Sequence, residues 1–188
     1  MSKKVGRNFW WLWLVANILG NVLLPMLVWQ DPYDLRSQIL INEILHAVGI
    51  SIAQSVMLRD RFAREAWWLP LTLLGWIVGL TIIFFVPALT LRSQGQNLPD
   101  ISRLFVSFAI IGTIVGICQW QLLRGFRAAG LWLFVSAIAL SLSVAGLYLG
   151  YMAKSTLLAN ILQGLIYGAI TGLFMIRILR SAKIKNKD

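Results

Sequence analysis

Apolar residues in this chain come in six long blocks separated by short polar stretches: 9–29, 38–58, 66–90, 103–123, 130–152 and 155–179. A hydrocarbon core about 30 Å thick takes roughly 20 residues of helix to cross, so each block predicts one transmembrane helix. The second block is the least apolar, since it holds Gln38, Asn42, Glu43, His46 and Gln54. Its apolar positions nevertheless recur with a helical period, and Arg59 closes it. The connections at 30–36, with Asp31, Pro32 and Asp34, and at 91–100, with Gly95 and Pro99, read as turns. Pro70 falls in the first turn of the third helix, where a missing N–H costs little. Pro25 and Pro87 lie deeper and predict kinks in helices one and three.

Composition narrows the class. Of 188 residues 59% are hydrophobic and 13% charged, against about 25% charged in a soluble domain. That excludes an ordinary soluble enzyme, a disordered chain and a disulfide-stapled secreted domain. The prediction is an all-α, six-helix transmembrane bundle forming a single integral membrane domain over 1–188. Lys3, Lys4 and Arg7 precede the first block, but no A-x-A pattern follows it, so an uncleaved first span is expected. The single cysteine, Cys118, sits in an apolar run and is expected to be a buried, inert thiol. A single histidine excludes a His-rich metal site.

The net charge of +10 is explained by topology without nucleic acid. With six spans, Lys3, Lys4, Arg7, Arg59, Arg61, Arg64, Arg124, Arg127, Arg177, Arg180, Lys183, Lys185 and Lys187 fall on one side, thirteen of the 17 basic residues. Arg36, Arg92, Arg103 and Lys154 fall on the other. Basic residues favour cytoplasmic loops, so both termini are expected in the cytoplasm, in a bacterial inner membrane or a thylakoid membrane. Trp10, Trp11, Trp13, Trp67, Trp68, Trp120 and Trp132 would then mark the inner interface, and Tyr33, Tyr148 and Tyr151 the outer one.

An internal repeat is visible. Gln54, Leu58, Arg59, Ala63 and Trp67 match Gln119, Leu123, Arg124, Ala128 and Trp132 at a constant offset of 65. Leu179-Arg180 ends helix six in the same way, and Arg7 precedes Trp10 at the start of helix one. This predicts three parallel hairpin units with pseudo-threefold symmetry, the third split between the termini. The best copy is Gly116-Ile-Cys-Gln119-Trp120-Gln-Leu-Leu123-Arg124. This Gly-x-x-Gln-Trp-x-x-Leu-Arg hairpin resembles those of a group of uncharacterised multi-pass membrane proteins common in cyanobacteria. The copy at Gln54 has Ser55 for the Trp and Ser51 for the Gly. The resemblance implies a fold and topology and no particular activity.

Polar groups inside a bilayer are costly and therefore informative. At about 1.5 Å of rise per residue, Glu43 lies about 8 Å and His46 about 12 Å below the outer surface. Asn21 and Gln163 are level with His46, and Asn160 with Glu43. Asn21, Glu43, His46, Asn160 and Gln163 thus form a candidate ligand-binding layer in the outer half of the bilayer. Glu43 and His46, spaced i and i+3, share a helix face. Glu43 is the only acidic residue within a span, so a carboxylate-bridged di-metal site is excluded. The layer reads as a packing cluster, as a solute pocket, or as a proton-coupled site. On helix six, Gly164, Gly168 and Gly172 give consecutive G-x-x-x-G steps and predict close helix packing, within the chain or between copies.

No Gly-x-Ser-x-Gly, H-E-x-x-H or Walker sequence is present, so no catalytic residues, cofactor or metal are expected. The primary functional expectation is a non-enzymatic protein that packs with or assembles a larger membrane complex, through a membrane-protein partner or a second copy. The alternative is a small-solute binding or transport component. Both place the chain in the lipid bilayer.

Overall fold

The computed structural model describes residues 6–27, 35–59, 61–62, 64–85 and 101–181, with side chains from 41 onward in the second segment. Six helices account for nearly all of it: α1 (Arg7–Val22), α2 (Leu35–Leu58), α3 (Trp68–Phe85), α4 (Ile101–Leu123), α5 (Leu131–Met152) and α6 (Thr156–Arg180). The protein is an all-helical bundle of six helices, each long and apolar enough to cross a membrane, with no strand among the described residues. The predicted connections at 30–36 and 91–100, and Pro87, lie outside the described residues.

Each helix packs on its neighbours in sequence, and α6 returns to pack on α1. The result is a closed ring in the order α1-α2-α3-α4-α5-α6. Its outer wall carries apolar side chains such as Leu12, Ile77, Phe134 and Leu173. The outer wall suits lipid, and the interior is where polar side chains collect.

Local chemistry sets the helix ends. Helix α1 stops at Val22, and a short 3-10 turn follows over Pro25–Leu27. The expected kink at Pro25 is therefore a termination. Proline has no N–H for the carbonyl four residues back, here Asn21, and it turns its predecessor away from helix. At the α5–α6 corner, Lys154 is left-handed with φ 53°. The Ser155 N–H bonds the Gly150 carbonyl and the Lys154 N–H bonds that of Tyr151, a Schellman closure. The Ser155 hydroxyl then caps α6 by accepting from the Leu158 N–H at 3.2 Å.

Backbones approach closely where side chains are small. A Cβ on Gly20 would sit 2.8 Å from the Gly49 carbonyl carbon, so α1 and α2 cross backbone to backbone. Gly150 meets the Ala159 backbone in the same way. The α6 glycines face α1: a Cβ on Gly164 would lie 2.8 Å from Ile18 Cα, on Gly168 2.9 Å from Asn17 Cβ, and on Gly172 2.9 Å from Trp13 Cδ1. This stripe is consumed within the chain and offers no face to a second copy.

The tryptophans depart from the expected belt. Trp11 and Trp67 are more than half exposed, as interfacial residues should be. Trp13, Trp68 and Trp132 are fully buried. They pack with Phe9, Phe62 and Phe126 in a core at the arginine-rich end of the ring. The Trp68 and Trp132 rings meet edge to face, 5.9 Å between centroids. Cys118 is only partly buried, where a fully buried thiol was expected.

Candidate functional site

The ring interior holds two groups of polar side chains, and they are treated differently. The first is a belt near the arginine-rich end. The Trp132 indole donates to Gln119 Oε1 at 2.8 Å, Gln119 Nε2 donates to Thr72 Oγ1 at 2.8 Å, and the Thr72 hydroxyl donates to the Trp68 carbonyl. The Trp68 indole donates to Gln54 Oε1 at 3.0 Å, Gln54 Nε2 to Asn17 Oδ1 at 2.9 Å, and Asn17 Nδ2 to the Trp13 carbonyl. The Trp13 indole donates to Thr171 Oγ1 at 3.0 Å, whose hydroxyl donates to the Tyr167 carbonyl. The belt therefore visits α5, α4, α3, α2, α1 and α6 in turn. Among the described residues it opens between α6 and α5; the buried Ser136 Oγ of α5, beside Gly116 of α4, has no partner.

Buried indole N–H and carboxamide groups need partners in a medium without water. Here each carboxamide is bonded at both ends. The belt was not anticipated from the sequence. Its signal was there: Trp13, Trp68 and Trp132 are each followed four residues later by Asn17, Thr72 and Ser136. The partner of Gln54 is Trp68 and not Trp67, so the constant offset of 65 breaks by one residue in the α2–α3 connection.

The second group is the predicted layer, toward the opposite end. Asn21 is on α1, Glu43 and His46 on α2, Asn160 and Gln163 on α6, and all five are buried. Asn21 comes up against α6, its Nδ2 3.1 Å from where a Gly164 Cβ would stand. The adjacent Gly20 is what lets α1 reach α2. Since α1 lies between α2 and α6 in the ring, it joins the two polar helices into one sector.

This layer is not internally satisfied. Glu43 Oε1 and His46 Nδ1 are 3.7 Å apart, inside ion-pair range and beyond a hydrogen bond. Asn21 Oδ1, Glu43 Oε2, both imidazole nitrogens of His46 and Gln163 Oε1 are buried without a hydrogen-bond partner. The orientation of Asn21 is secure, because its Nδ2 donates to the Asn17 carbonyl at 2.8 Å and its oxygen is the end left over. Asn160 lies one turn nearer Thr156 than Gln163.

No protein family, curated protein or solved structure matches this chain.

The geometry therefore carries the functional reading. Among the described residues no three His, Cys, Asp or Glu side chains gather as metal ligands would. Ser141 and Ser143 of α5 donate to the carbonyls of Phe105 and Leu140. At the arginine-rich end, Arg61 stacks 4.5 Å over the Phe9 ring and donates to the Met57 carbonyl. Burial pulls its guanidinium below the ordinary arginine value. That contact ties the α2–α3 connection to α1 and helps the three indoles close this end of the ring.

Proposed function

We propose that this non-enzymatic multi-pass membrane protein binds a small polar solute, as a binding or transport component, in the layer formed by Asn21, Glu43, His46, Asn160 and Gln163. The observation that carries the reading is the set of unpartnered atoms on four of those five residues. A cluster serving only to lock helices together would close its polar atoms on one another, as the Trp–Gln belt does. Each buried unsatisfied group costs about 1–3 kcal/mol, a cost that a bound polar ligand removes. For that reason solute binding is preferred here to a purely packing role in a larger membrane complex.

The reading includes a topology. The arginine-rich end faces the cytoplasm of a bacterial inner membrane, or the equivalent side of a thylakoid membrane, with both termini there. Support comes from the sequence, where thirteen of 17 basic residues fall in segments that a six-span topology puts on that side. The indole core then blocks the cytoplasmic side, and the solute layer belongs to the opposite half of the bilayer.

The reading also includes three related hairpins. The buried positions 43, 46, 47, 50, 51, 54 and 58 of α2 recur at 108, 111, 112, 115, 116, 119 and 123 of α4 and at 160, 163, 164, 167, 168, 171 and 175 of α6. The offsets are 65 and 52, which pairs Leu58 and Leu123 with Met175 and not with Leu179. In that register the belt is polar in every unit. Glu43 and His46, by contrast, correspond to Phe108 and Ile111 in α4 and to Asn160 and Gln163 in α6. Carboxamide and ionisable side chains at this level thus lie in the α6–α1–α2 sector, whereas α4 and α5 contribute the buried hydroxyls of Ser107 and Ser143. A feature required by the scaffold would recur in all three units.

The test is accessibility. With Cys118→Ser as background, Gln163→Cys in oriented vesicles should react with a membrane-impermeant methanethiosulfonate added from the extracytoplasmic side. It should react faster than Ala139→Cys, a fully buried position on α5. Equal protection of the two positions overturns the reading.

A further inference from the structure

The atoms left unpartnered in the layer are unequal in kind. Asn21 Oδ1, Glu43 Oε2 and Gln163 Oε1 are oxygens, and in each the unsatisfied end is the acceptor end. A neutral imidazole presents one donor and one acceptor, so His46 adds one of each. With the imidazole neutral, the unpartnered atoms of the layer are therefore four acceptors and one donor. For Asn21 this cannot be reversed by turning the amide, because Nδ2 is held by the Asn17 carbonyl. The helix end adds to the bias, since Pro25 cannot donate to the Asn21 carbonyl.

Charge points the same way. Glu43 is the one carboxyl of the layer, and among the described residues its only ion-pair neighbour is His46, at 3.7 Å. Lys154 and Arg103, basic residues of this end whose side chains are described, do not pair with it. Inside a low-dielectric bundle a carboxylate attracts a cation strongly. Charge-assisted N–H bonds to a carboxylate are among the strongest hydrogen bonds available. The site is also enclosed, with Glu43 5%, Gln163 2% and His46 1% exposed. The occupant must therefore be small.

We propose that the solute is a small monocation rich in N–H donors, of the size of ammonium or methylammonium. It would sit among Glu43 Oε2, Asn21 Oδ1, Gln163 Oε1 and one nitrogen of His46. This assignment rests on the solute-binding reading above and adds the ligand's chemistry to it. The imidazole nitrogen favours an N–H donor over an alkali ion, which prefers oxygen ligands alone.

The experiment is equilibrium binding of radiolabelled methylammonium to the full chain in lipid nanodiscs, prepared in sodium buffers free of ammonium. One saturable site per chain is expected. Ammonium should displace the label, whereas potassium, close to ammonium in size and charge but lacking N–H bonds, should not at equal concentration. Glu43→Gln, which keeps the shape and removes the charge, should weaken binding at least tenfold, and Gln163→Met severalfold. Ser136→Ala, which removes the unpartnered hydroxyl of the belt, should leave it unchanged. Absence of saturable binding, equal competition by potassium, or full binding in Glu43→Gln overturns the proposal. Labelled formamide and acetate, one neutral and one anionic, separate the two levels of the argument. If either binds in a Gln163-dependent way while methylammonium does not, the cation assignment falls and the solute site stands. If none binds and Gln163→Cys is protected from the thiol reagent, both fall.

Discussion

Replacing Gln119 and Gln163 by methionine, one at a time, sets two buried carboxamides of equal size against each other. Both lie in the ring interior, at 0% and 2% exposure. Gln119 is bonded at both ends, accepting from Trp132 and donating to Thr72. In Gln119→Met the fully buried Trp132 indole loses its acceptor. A buried donor left unmade costs about 1–3 kcal/mol. The Thr72 bond contributes about 0.6 kcal/mol, the average for interhelical hydrogen bonds in a membrane. The Thr72 hydroxyl still donates to the Trp68 carbonyl, so no further group is orphaned there. Met returns some apolar contact, which leaves a net loss of about 2 kcal/mol. Gln163→Met instead removes an oxygen that has no partner. Without ligand it should be neutral or stabilising, by up to about 1–2 kcal/mol. Equilibrium unfolding by SDS in mixed micelles, followed by tryptophan fluorescence, measures both. A loss in Gln163→Met as large as that in Gln119→Met would mean that the layer is a satisfied packing cluster, and the argument from unpartnered atoms would be refuted.

The same unfolding assay checks three further expectations. Gly168→Leu should destabilise by 3 kcal/mol or more by order of magnitude, since even a Cβ there meets Asn17 Cβ at 2.9 Å and Leu14 Cα at 3.3 Å; a wild-type midpoint would remove the α1–α6 interface. Gly130→Ala should stabilise by about 0.4–1 kcal/mol, because Gly130 has ordinary helical angles and open space around it. A lower midpoint would count against that corner. Lys154→Gly should stabilise by about 0.5–1 kcal/mol by relieving a left-handed residue at φ 53°, and a destabilised variant would show that the Lys154 side chain contributes more than its backbone strain.

How far the sequence could be read follows from what each feature depends on. The six helices were legible because a bilayer demands long apolar runs, and the observed ends at Leu58, Leu123 and Met152 coincide with the predicted ones. The first span leaves the α-helix at Val22 and continues through a 3-10 turn to Leu27, a change that the apolar pattern does not mark. Pro25 within an apolar run reads equally as a kink or a stop, and the choice depends on whether packing supports a further turn. The polar layer was legible as a list of residues, because Glu43, His46 and Gln163 are anomalous in hydrocarbon wherever they point. Its lack of internal bonding was not, since that turns on a fraction of an ångström between side chains of different helices. The belt was missed for a different reason. Tryptophan near a helix end has an adequate explanation at the headgroups, and Trp11 and Trp67 obey it. Only the coincidence of three Trp-x-x-x-polar pairs with two glutamines on intervening helices separates Trp13, Trp68 and Trp132 from them.

The belt and the layer together explain why a closed ring suits this sequence. Helix association in lipid has no hydrophobic drive between helices, so packing and polar bonds must set the register. The glycine contacts bring backbones together without fixing how far one helix slides along another. The belt supplies the missing constraint: a one-turn slip of α4 against α3 and α5 would carry Gln119 away from both Thr72 and Trp132. With register set near the arginine-rich end, the other end is free to hold groups that do not satisfy one another. The two roles are unequal in cost. Belt residues are bonded to one another, whereas Asn21, Glu43, His46 and Gln163 carry buried polar atoms without a partner. A ring clamped at one end and unsatisfied at the other has the division of labour that the proposed one-sided binding site requires, because a ligand there would relax the layer without loosening the belt.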